Sequence, residues 1–175
     1  MENKRKAIFF DRDGTLNVDI HYLHRPEDFI WTEDAPKAIK YANDHGYLVI
    51  VVTNQSGVAR GYYPESDIVR VHDYMNAELK KIGAHLDALY YCPHHPEGAL
   101  LQYTKQCSCR KPAPGMVNRA CEDFAIDKSQ SYFVGDSEKD MLCAANAGVK
   151  GICYPGGSLL ALLRANLTAE KAGRP

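Results

Sequence analysis

Two aspartates, Asp11 and Asp13, stand one residue apart directly after the apolar run Ala7–Phe10. Carboxylates at the end of a buried strand are costly to desolvate unless a cation neutralises them, and the pattern favours a divalent metal ion in that place. Around such an ion, one carboxylate can act as a nucleophile and the other as a proton shuttle. Gly14 would allow the sharp turn that leaves both groups at the sheet edge. The segment alone is equally compatible with an ordinary Asp-Gly turn.

Polar residues also follow two further apolar runs. Residues 53–57, Thr-Asn-Gln-Ser-Gly, follow Leu48–Val52, and residues 135–137, Gly-Asp-Ser, follow another strand-like run. Open parallel sheets bind ligands at the carboxyl ends of their strands. The sequence therefore predicts one site built from the ends of these three strands.

The elements that must position this site alternate between strand-like and helical segments, which is typical of βα units. The near-continuous apolar strands indicate a sheet covered on both faces, so we expect an α/β, Rossmann-like three-layer sandwich with a mainly parallel central sheet. The predicted strands are Ala7–Asp11, Leu48–Thr53, Ala88–Cys92, Ser131–Asp136 and Gly151–Tyr154. The predicted helices are Ala35–His45, Pro64–Gly83, Gly115–Ala125, Glu138–Ala147 and Ser158–Ala165. Residues 93–114 form a long irregular loop, and residues 167–175 are expected to be a flexible tail.

Length and charge exclude several classes of protein. A chain of 175 residues predicts one domain, 1–175. The formal net charge of −1 argues against nucleic-acid and acidic-membrane partners. The chain shows neither a signal peptide nor an apolar segment that could span a bilayer, so we expect a cytoplasmic protein and, in solution, a monomer.

A second candidate metal site lies in the segment from about residue 92 to residue 110. Cys92 and His94 begin it, and Cys107 and Cys109 end it. Three cysteines and one histidine are the ligands of a closed, tetrahedral and therefore structural zinc site. Spacing alone leaves His95 open as an alternative to His94, and chance thiols in a loop as the alternative to a metal site.

Taken in order, these motifs resemble the haloacid dehalogenase superfamily of phosphohydrolases. The resemblance extends from Ala7 to about Gly148. It rests on Asp11-Arg12-Asp13-Gly14-Thr15, on Thr53, on Lys111 within Cys109-Arg110-Lys111-Pro112, and on Gly135-Asp136 with Asp140 four residues later. It implies a fold without a cap domain and a reaction through an aspartyl-phosphate.

The resemblance also implies a role for each matching residue. Asp11 would be the nucleophile and Asp13 the general acid and base, while Thr53 and Lys111 would bind the phosphoryl oxygens. Mg²⁺ would be held by Asp11, by the backbone carbonyl of Asp13 and by Asp136, an all-oxygen set that suits a hard octahedral ion.

One branch of the superfamily carries the same C-x-H and C-x-C loop, which implies zinc on Cys92, His94, Cys107 and Cys109. Two groups share this loop: one hydrolyses histidinol phosphate, and the other removes the 7-phosphate of D-glycero-D-manno-heptose 1,7-bisphosphate during nucleotide-activated heptose biosynthesis. The long segment 95–106 is similar to the heptose group. The resemblance to this group implies a sugar bisphosphate substrate. The residues expected to contact it are Asp19, Tyr22, Asn54, Gln55, Ser56, Arg60 and Arg110. Arg110 would bind the distal phosphate as a planar fork, its alternative being a surface arginine beside a catalytic lysine.

The chain departs from the heptose group at one position. That group usually has Asp-x-Gly-Tyr after the first motif, whereas this chain has His21 between Asp19 and Tyr22. The alternatives are a histidinol-phosphate phosphatase and, in a different class, a zinc-stapled binding module without catalysis. A phosphomutase is disfavoured because it needs a closing lid, and a polynucleotide end phosphatase because the charge is balanced.

Overall fold

The protein is described here from a computed structural model, in which residues 4–172 are described, with side chains as far as residue 167. Five strands form one parallel sheet in the order β3-β2-β1-β4-β5. The strands are β1 Ala7–Phe10, β2 Leu48–Asn54, β3 Ala88–Cys92, β4 Tyr132–Gly135 and β5 Lys150–Cys153. The helices are α1 Ala35–Asp44, α2 Glu65–Lys80, α3 Gly115–Asp123, α4 Glu138–Ala147 and α5 Leu159–Ala172.

The two faces of the sheet are covered by different helices. Ile8 and Phe10 of β1 belong to a core cluster with residues of α1, α2 and α5. Ala7 and Phe9, which point to the opposite face, pack with residues of α3 and α4. The predicted three-layer α/β fold is therefore confirmed, and β1 is buried on both faces as its apolar sequence indicated.

Element boundaries differ from the prediction mainly at the carboxyl end. Strand and helix ends shift by a few residues, whereas α5 continues to Ala172 instead of ending at Ala165. Leu167, which the sequence placed in the flexible tail, belongs to α5, and its side chain is buried in the core. The mobility of the tail stays a prediction, and residues 173–175 lie outside the described part of the chain.

Two connections flank the carboxyl edge of the sheet. Residues 11–34, between β1 and α1, consist of turns, isolated bridges and the 3₁₀ turn Pro26–Asp28, and they contain no helix or strand that would build a cap domain. The second connection contains the predicted zinc loop and leads into α3. None of the described helices is long and apolar enough to cross a membrane.

Candidate active site

The central position of β1 brings the predicted residues together. Its neighbours are β2 and β4, so Asp11 comes to lie between Thr53 and Asp136 at one edge of the sheet. Carboxylate oxygens of Asp11, Asp136 and Asp140 lie within 4.8 Å of one another. A cavity of about 140 Å³ opens there, lined by Asp11, Asp13, Thr53, Asn54, Lys111, Ser137, Lys139 and Asp140.

Lys111 is the buried cation of this cavity. Its Nζ donates to Asp11 Oδ1 at 2.7 Å, to Asp140 Oδ1 at 2.7 Å and to the carbonyl of Val52 at 3.0 Å, which uses all three of its protons. Burial lowers the pKa of Lys111, but the two carboxylates raise it by more, so the pKa lies above its usual value. The ammonium group therefore remains charged at neutral pH.

Asp11 is buried, which is unfavourable for a negatively charged side chain. Burial raises the pKa of Asp11 to about 8, although the charge of Lys111 lowers it. Because a carboxyl group with such a pKa is mostly protonated at neutral pH, its ionised form needs a further cation nearby. This requirement agrees with a divalent metal ion at the same edge.

Asp136 and Asp140 differ in how many partners they have. Asp140 is buried and uses both oxygens, one on Lys111 and the other on the backbone and hydroxyl groups of Ser137, with which it forms the capping box of α4. Asp136 is exposed and accepts a hydrogen bond from the Thr15 hydroxyl at 3.1 Å. Its carboxylate lies against Gly14, where a Cβ would stand 2.4 Å from Asp136 Oδ2. Asp136 is therefore better placed than Asp140 to bind a metal ion, and its role as a ligand stays a prediction.

Asp13 is held by several donors at once. Arg12, only 1% exposed, donates to both of its oxygens at 3.1–3.3 Å. Asn17 Nδ2 donates to Oδ1 at 3.0 Å, and Gln55 Nε2 donates to Oδ2 at 3.0 Å. The orientation of the Asp13 carboxylate is thus set by three side chains that are themselves buried.

A second cavity, of about 220 Å³, adjoins the first. It is lined by Asp13, Asp19, His21, Tyr22, Asn54, Gln55, Ser56 and Tyr63, so it shares Asp13 and Asn54 with the 140 Å³ cavity. Five of the seven predicted substrate contacts lie on this wall. His21 and Tyr22 both have left-handed backbone conformations, with φ of 60° and 59°. His21 therefore occupies a backbone conformation that glycine adopts more readily than histidine.

Arg60 and Arg110, the other two predicted contacts, lie beside the zinc loop. Arg60 Nη2 is 3.4 Å from His95 Nε2, and Arg110 Nη1 donates to the carbonyl of His94 at 3.4 Å. Burial lowers the pKa of His95, and the positive charges of Arg110, Arg60 and Lys139 lower it further. The surface next to His94 and His95 is therefore positively charged. The wall of the 220 Å³ cavity, in contrast, carries the carboxylates of Asp13 and Asp19.

The zinc ligands predicted from the sequence are close together. The sulfur atoms of Cys92, Cys107 and Cys109 are 3.1–3.4 Å apart, and His94 Nδ1 lies 3.3 Å from Cys109 Sγ. All three cysteines are free thiols. In tetrahedral zinc–thiolate sites, sulfur atoms stand about 3.8 Å apart, so the separations between these sulfur atoms would need to grow by about 0.4–0.7 Å to admit the ion. His95 instead faces Arg60, which favours His94 as the fourth ligand.

Asn54 links the segment that follows the Cys/His cluster to the strand ends. Its side-chain oxygen accepts from the Lys111 backbone N–H at 3.0 Å, and its side-chain nitrogen donates to the Lys111 carbonyl at 3.2 Å. Lys111 is therefore fixed from two directions, by Cys109 two residues before it and by Asn54. Because the side-chain amide of Asn54 is already bonded to Lys111, only the backbone of Asn54 is available for the predicted contact with substrate.

Sequence reasoning overlooked Arg12, Asn17, Tyr63 and Lys139. Arg12 is a charged residue inside an otherwise recognisable motif, so its type alone gave no signal of burial. Asn17 and Tyr63 lie in turns without periodicity, and only the fold brings them to Asp13 and Gln55. Lys139 could have been found, since it lies between Asp136 and Asp140 on the first turn of α4.

The chain is similar to known proteins over most of its length. The sequence model of the family described as polynucleotide kinase 3 phosphatase matches residues 6–149. D-glycero-beta-D-manno-heptose-1,7-bisphosphate 7-phosphatase of Haemophilus ducreyi is 49% identical over 147 residues, which are 83% of this chain and 80% of the relative. A HAD-like phosphatase from Mesorhizobium loti superposes with a TM-score of 0.85 at 34% identity, covering 98% of this chain and 89% of that chain. D,D-heptose 1,7-bisphosphate phosphatase from B. bronchiseptica, complexed with magnesium and phosphate, has a TM-score of 0.78 at 32% identity, covering 97% and 88%.

Proposed function

We propose a reaction on the premise that this chain belongs to the polynucleotide kinase 3 phosphatase family and, within the haloacid dehalogenase superfamily, to the heptose-1,7-bisphosphate 7-phosphatases. The reaction is Mg²⁺-dependent removal of the 7-phosphate from D-glycero-D-manno-heptose 1,7-bisphosphate, a step towards nucleotide-activated heptose. The observation that carries this proposal is the pair of adjoining cavities, one built for a phosphoryl group and one for a polyol, which meet at Asp13.

Asp11 is the nucleophile in this proposal. Its carboxylate attacks phosphorus in line, an O–P bond forms on Asp11 and the bond from phosphorus to the sugar O7 breaks. Lys111 Nζ, 2.7 Å from Asp11 Oδ1, lies where it can balance the negative charge of the phosphoryl oxygens. Thr53 contributes its hydroxyl at the same strand end. Losing one such fixed donor typically costs about 3–4 kcal/mol of barrier.

Asp13 moves the protons. In the first half of the reaction it gives its proton to the leaving O7, and in the second it takes a proton from the water that hydrolyses the aspartyl-phosphate. Both halves need the Asp13 carboxyl group at a fixed place beside Asp11. The contacts from Arg12, Asn17 and Gln55 provide that placement.

Two metal ions complete the proposed site. Asp11, the backbone carbonyl of Asp13 and Asp136 would hold Mg²⁺, which supplies positive charge for the nucleophile and the transferred phosphoryl group. Asp140 is left out because both of its oxygens are already bonded. Cys92, His94, Cys107 and Cys109 would hold zinc as a closed structural site that orders Arg110 and Lys111.

The charge distribution orients the substrate. The heptose hydroxyls face the 220 Å³ cavity, whose Asp19 and Ser56 side chains can hydrogen-bond to them. The carboxylates of that wall would repel the 1-phosphate, and Arg60 and Arg110, beside His95 and His94, would attract it. This arrangement would remove the 7-phosphate and leave the 1-phosphate in place.

The test compares substrates with the same enzyme preparation and saturating Mg²⁺. We expect the α or β anomer of heptose 1,7-bisphosphate to give a higher kcat/KM than histidinol phosphate or a 3′-phosphorylated oligonucleotide. The product should be the 1-phosphate, identified by phosphorus NMR. Faster hydrolysis of histidinol phosphate would overturn the choice of substrate. Full activity in an Asp11→Asn variant would overturn the assignment of Asp11 as nucleophile. Absence of activity on all three substrates in the unaltered protein would favour a binding module over an enzyme.

A further inference from the structure

Gln55 connects four residues of the site although it was predicted to contact only the substrate. The residue is 2% exposed. Its Nε2 donates to Asp13 Oδ2 at 3.0 Å and to Thr53 Oγ1 at 2.8 Å. Its Oε1 accepts from the Tyr63 hydroxyl at 2.6 Å and from Arg12 at the long distance of 3.4 Å. Every polar group of the amide is therefore bonded within the protein.

Tyr63 is rigidly held. One face of its ring stacks on His24, with ring centroids 4.9 Å apart and planes inclined by 8°. The ring also lies directly against the backbone at Gly57, where a Cβ would stand 2.2 Å from Tyr63 Cε1. Gly57 is therefore needed for the ring to fit, and neither contact leaves the ring free to swing. Burial raises the pKa of Tyr63 to about 12, so the hydroxyl keeps its proton for donation at neutral pH.

We propose that Tyr63 is a positioning residue for the acid–base group Asp13 and that it acts through Gln55. The Tyr63 hydroxyl fixes Oε1, and the planar amide then directs its two N–H bonds, one to Asp13 and one to Thr53. Without the hydroxyl, Oε1 keeps only the 3.4 Å contact with Arg12, and the amide can rotate away from Asp13. This inference rests on the proposed role of Asp13 as the acid that protonates O7.

The role predicts a dependence on the leaving group. A sugar alkoxide is a poor leaving group and needs the proton of Asp13, whereas para-nitrophenolate leaves without one. The parameter kcat/KM reports the first half of the reaction, in which this proton is given. A badly oriented Asp13 should therefore lower kcat/KM for the sugar phosphate and spare kcat/KM for para-nitrophenyl phosphate.

The experiment measures kcat/KM for both substrates in the full-length protein with Mg²⁺. For Tyr63→Phe we expect a five- to tenfold loss with heptose 1,7-bisphosphate, of the size of one buried hydrogen bond (about 1 kcal/mol), and less than a twofold loss with the aryl phosphate. Tyr62→Phe is the matched control, because it removes a hydroxyl from the exposed neighbouring tyrosine, and neither rate should change. Gln55→Met, which removes the amide but keeps the length, should show the same bias as Tyr63→Phe.

Each outcome supports or overturns the proposal. Equal losses with both substrates, or no loss with either, contradict a positioning role for Tyr63. If Tyr63→Phe does not fold, as judged by thermal unfolding, Gln55→Met decides by the same criterion. Asp13→Asn separates this inference from the proposed function. Absence of leaving-group bias in Asp13→Asn refutes the role of Asp13, whereas bias in that variant alone refutes only the role of Tyr63.

Discussion

Replacing Lys111 by methionine removes the buried ammonium group from between Asp11 and Asp140. Asp11 Oδ1 and Asp140 Oδ1 each lie 2.7 Å from Lys111 Nζ. The side chains of Lys111, Asp11 and Asp140 are 4%, 12% and 1% exposed. Removing one member of a buried ion pair leaves an uncompensated charge and costs about 3–5 kcal/mol. For a chain of this size, each kcal/mol lowers Tm by about 2–4 °C, so we expect a fall of about 6–20 °C.

The loss should also depend on pH. Burial raises the pKa of Asp11 to about 8 against the lowering effect of Lys111, so removing Lys111 raises it further. The folded state then binds more protons than the unfolded state, and the free energy of unfolding falls with rising pH in that range. In the wild type the free energy of unfolding stops falling near pH 8, where Asp11 has lost its proton. In the variant the free energy of unfolding continues to fall above pH 8. The difference between the two proteins should therefore grow from pH 8 to pH 9.

The assay is urea unfolding at pH 7, 8 and 9 with a chelator present, followed by circular dichroism. Lys139→Met is the matched control, since Lys139 lines the same cavity but is exposed, and its unfolding free energy should change by less than about 0.5 kcal/mol. A loss below about 1 kcal/mol for Lys111→Met, or a difference that stays constant from pH 8 to pH 9, would refute the ion-pair reasoning.

Three further predictions concern the metals. Cys109→Ser should lower the zinc content of the purified protein and its Tm together, as metal analysis and calorimetry would show; a zinc-free variant with unchanged Tm contradicts a structural role. Apparent Mg²⁺ affinity should rise about tenfold per pH unit from pH 6 to pH 8, because binding must displace the Asp11 proton, and a flat calorimetric profile would argue against this. Gly14→Ala should weaken Mg²⁺ binding at least tenfold, about 1.4 kcal/mol, by pushing Asp136 aside. Gly157→Ala, with a similar positive φ but open space, should leave that affinity unchanged, and equal losses in the two variants would contradict the steric explanation.

The strands and the Cys/His cluster could be predicted from the sequence because each leaves a local signal. Ala7–Phe10 is buried on both faces and is accordingly apolar at every position. The cysteines at 92, 107 and 109 carry their chemistry in their residue type. Both signals are visible in the sequence alone, and the structure has the strands and the cysteine cluster where the sequence predicted them.

The contacts around Asp13 could not be read in this way. Gln55 lies 42 residues from Asp13 in the chain, and its hydrogen bond exists only because β1 and β2 are neighbours. Arg12 shows the same limit, since a buried arginine is unusual and its bonds to Asp13, to the Leu23 carbonyl and to Gln55 stabilise it there. Residue type predicted which groups meet at the sheet edge, but not which groups hold them.

The position of β1 at the centre of the sheet has a consequence for synthesis on the ribosome. β1 is made first and gains one neighbour with β2, but its other edge stays open until β4 is made about 120 residues later. During that interval an apolar strand presents unpaired N–H and C=O groups, the arrangement that recruits other chains. Carboxyl-terminal truncations before Tyr132 should therefore aggregate instead of accumulating as folded fragments. The strand that ends at the proposed nucleophile Asp11 is thus also the one most in need of protection in the nascent chain.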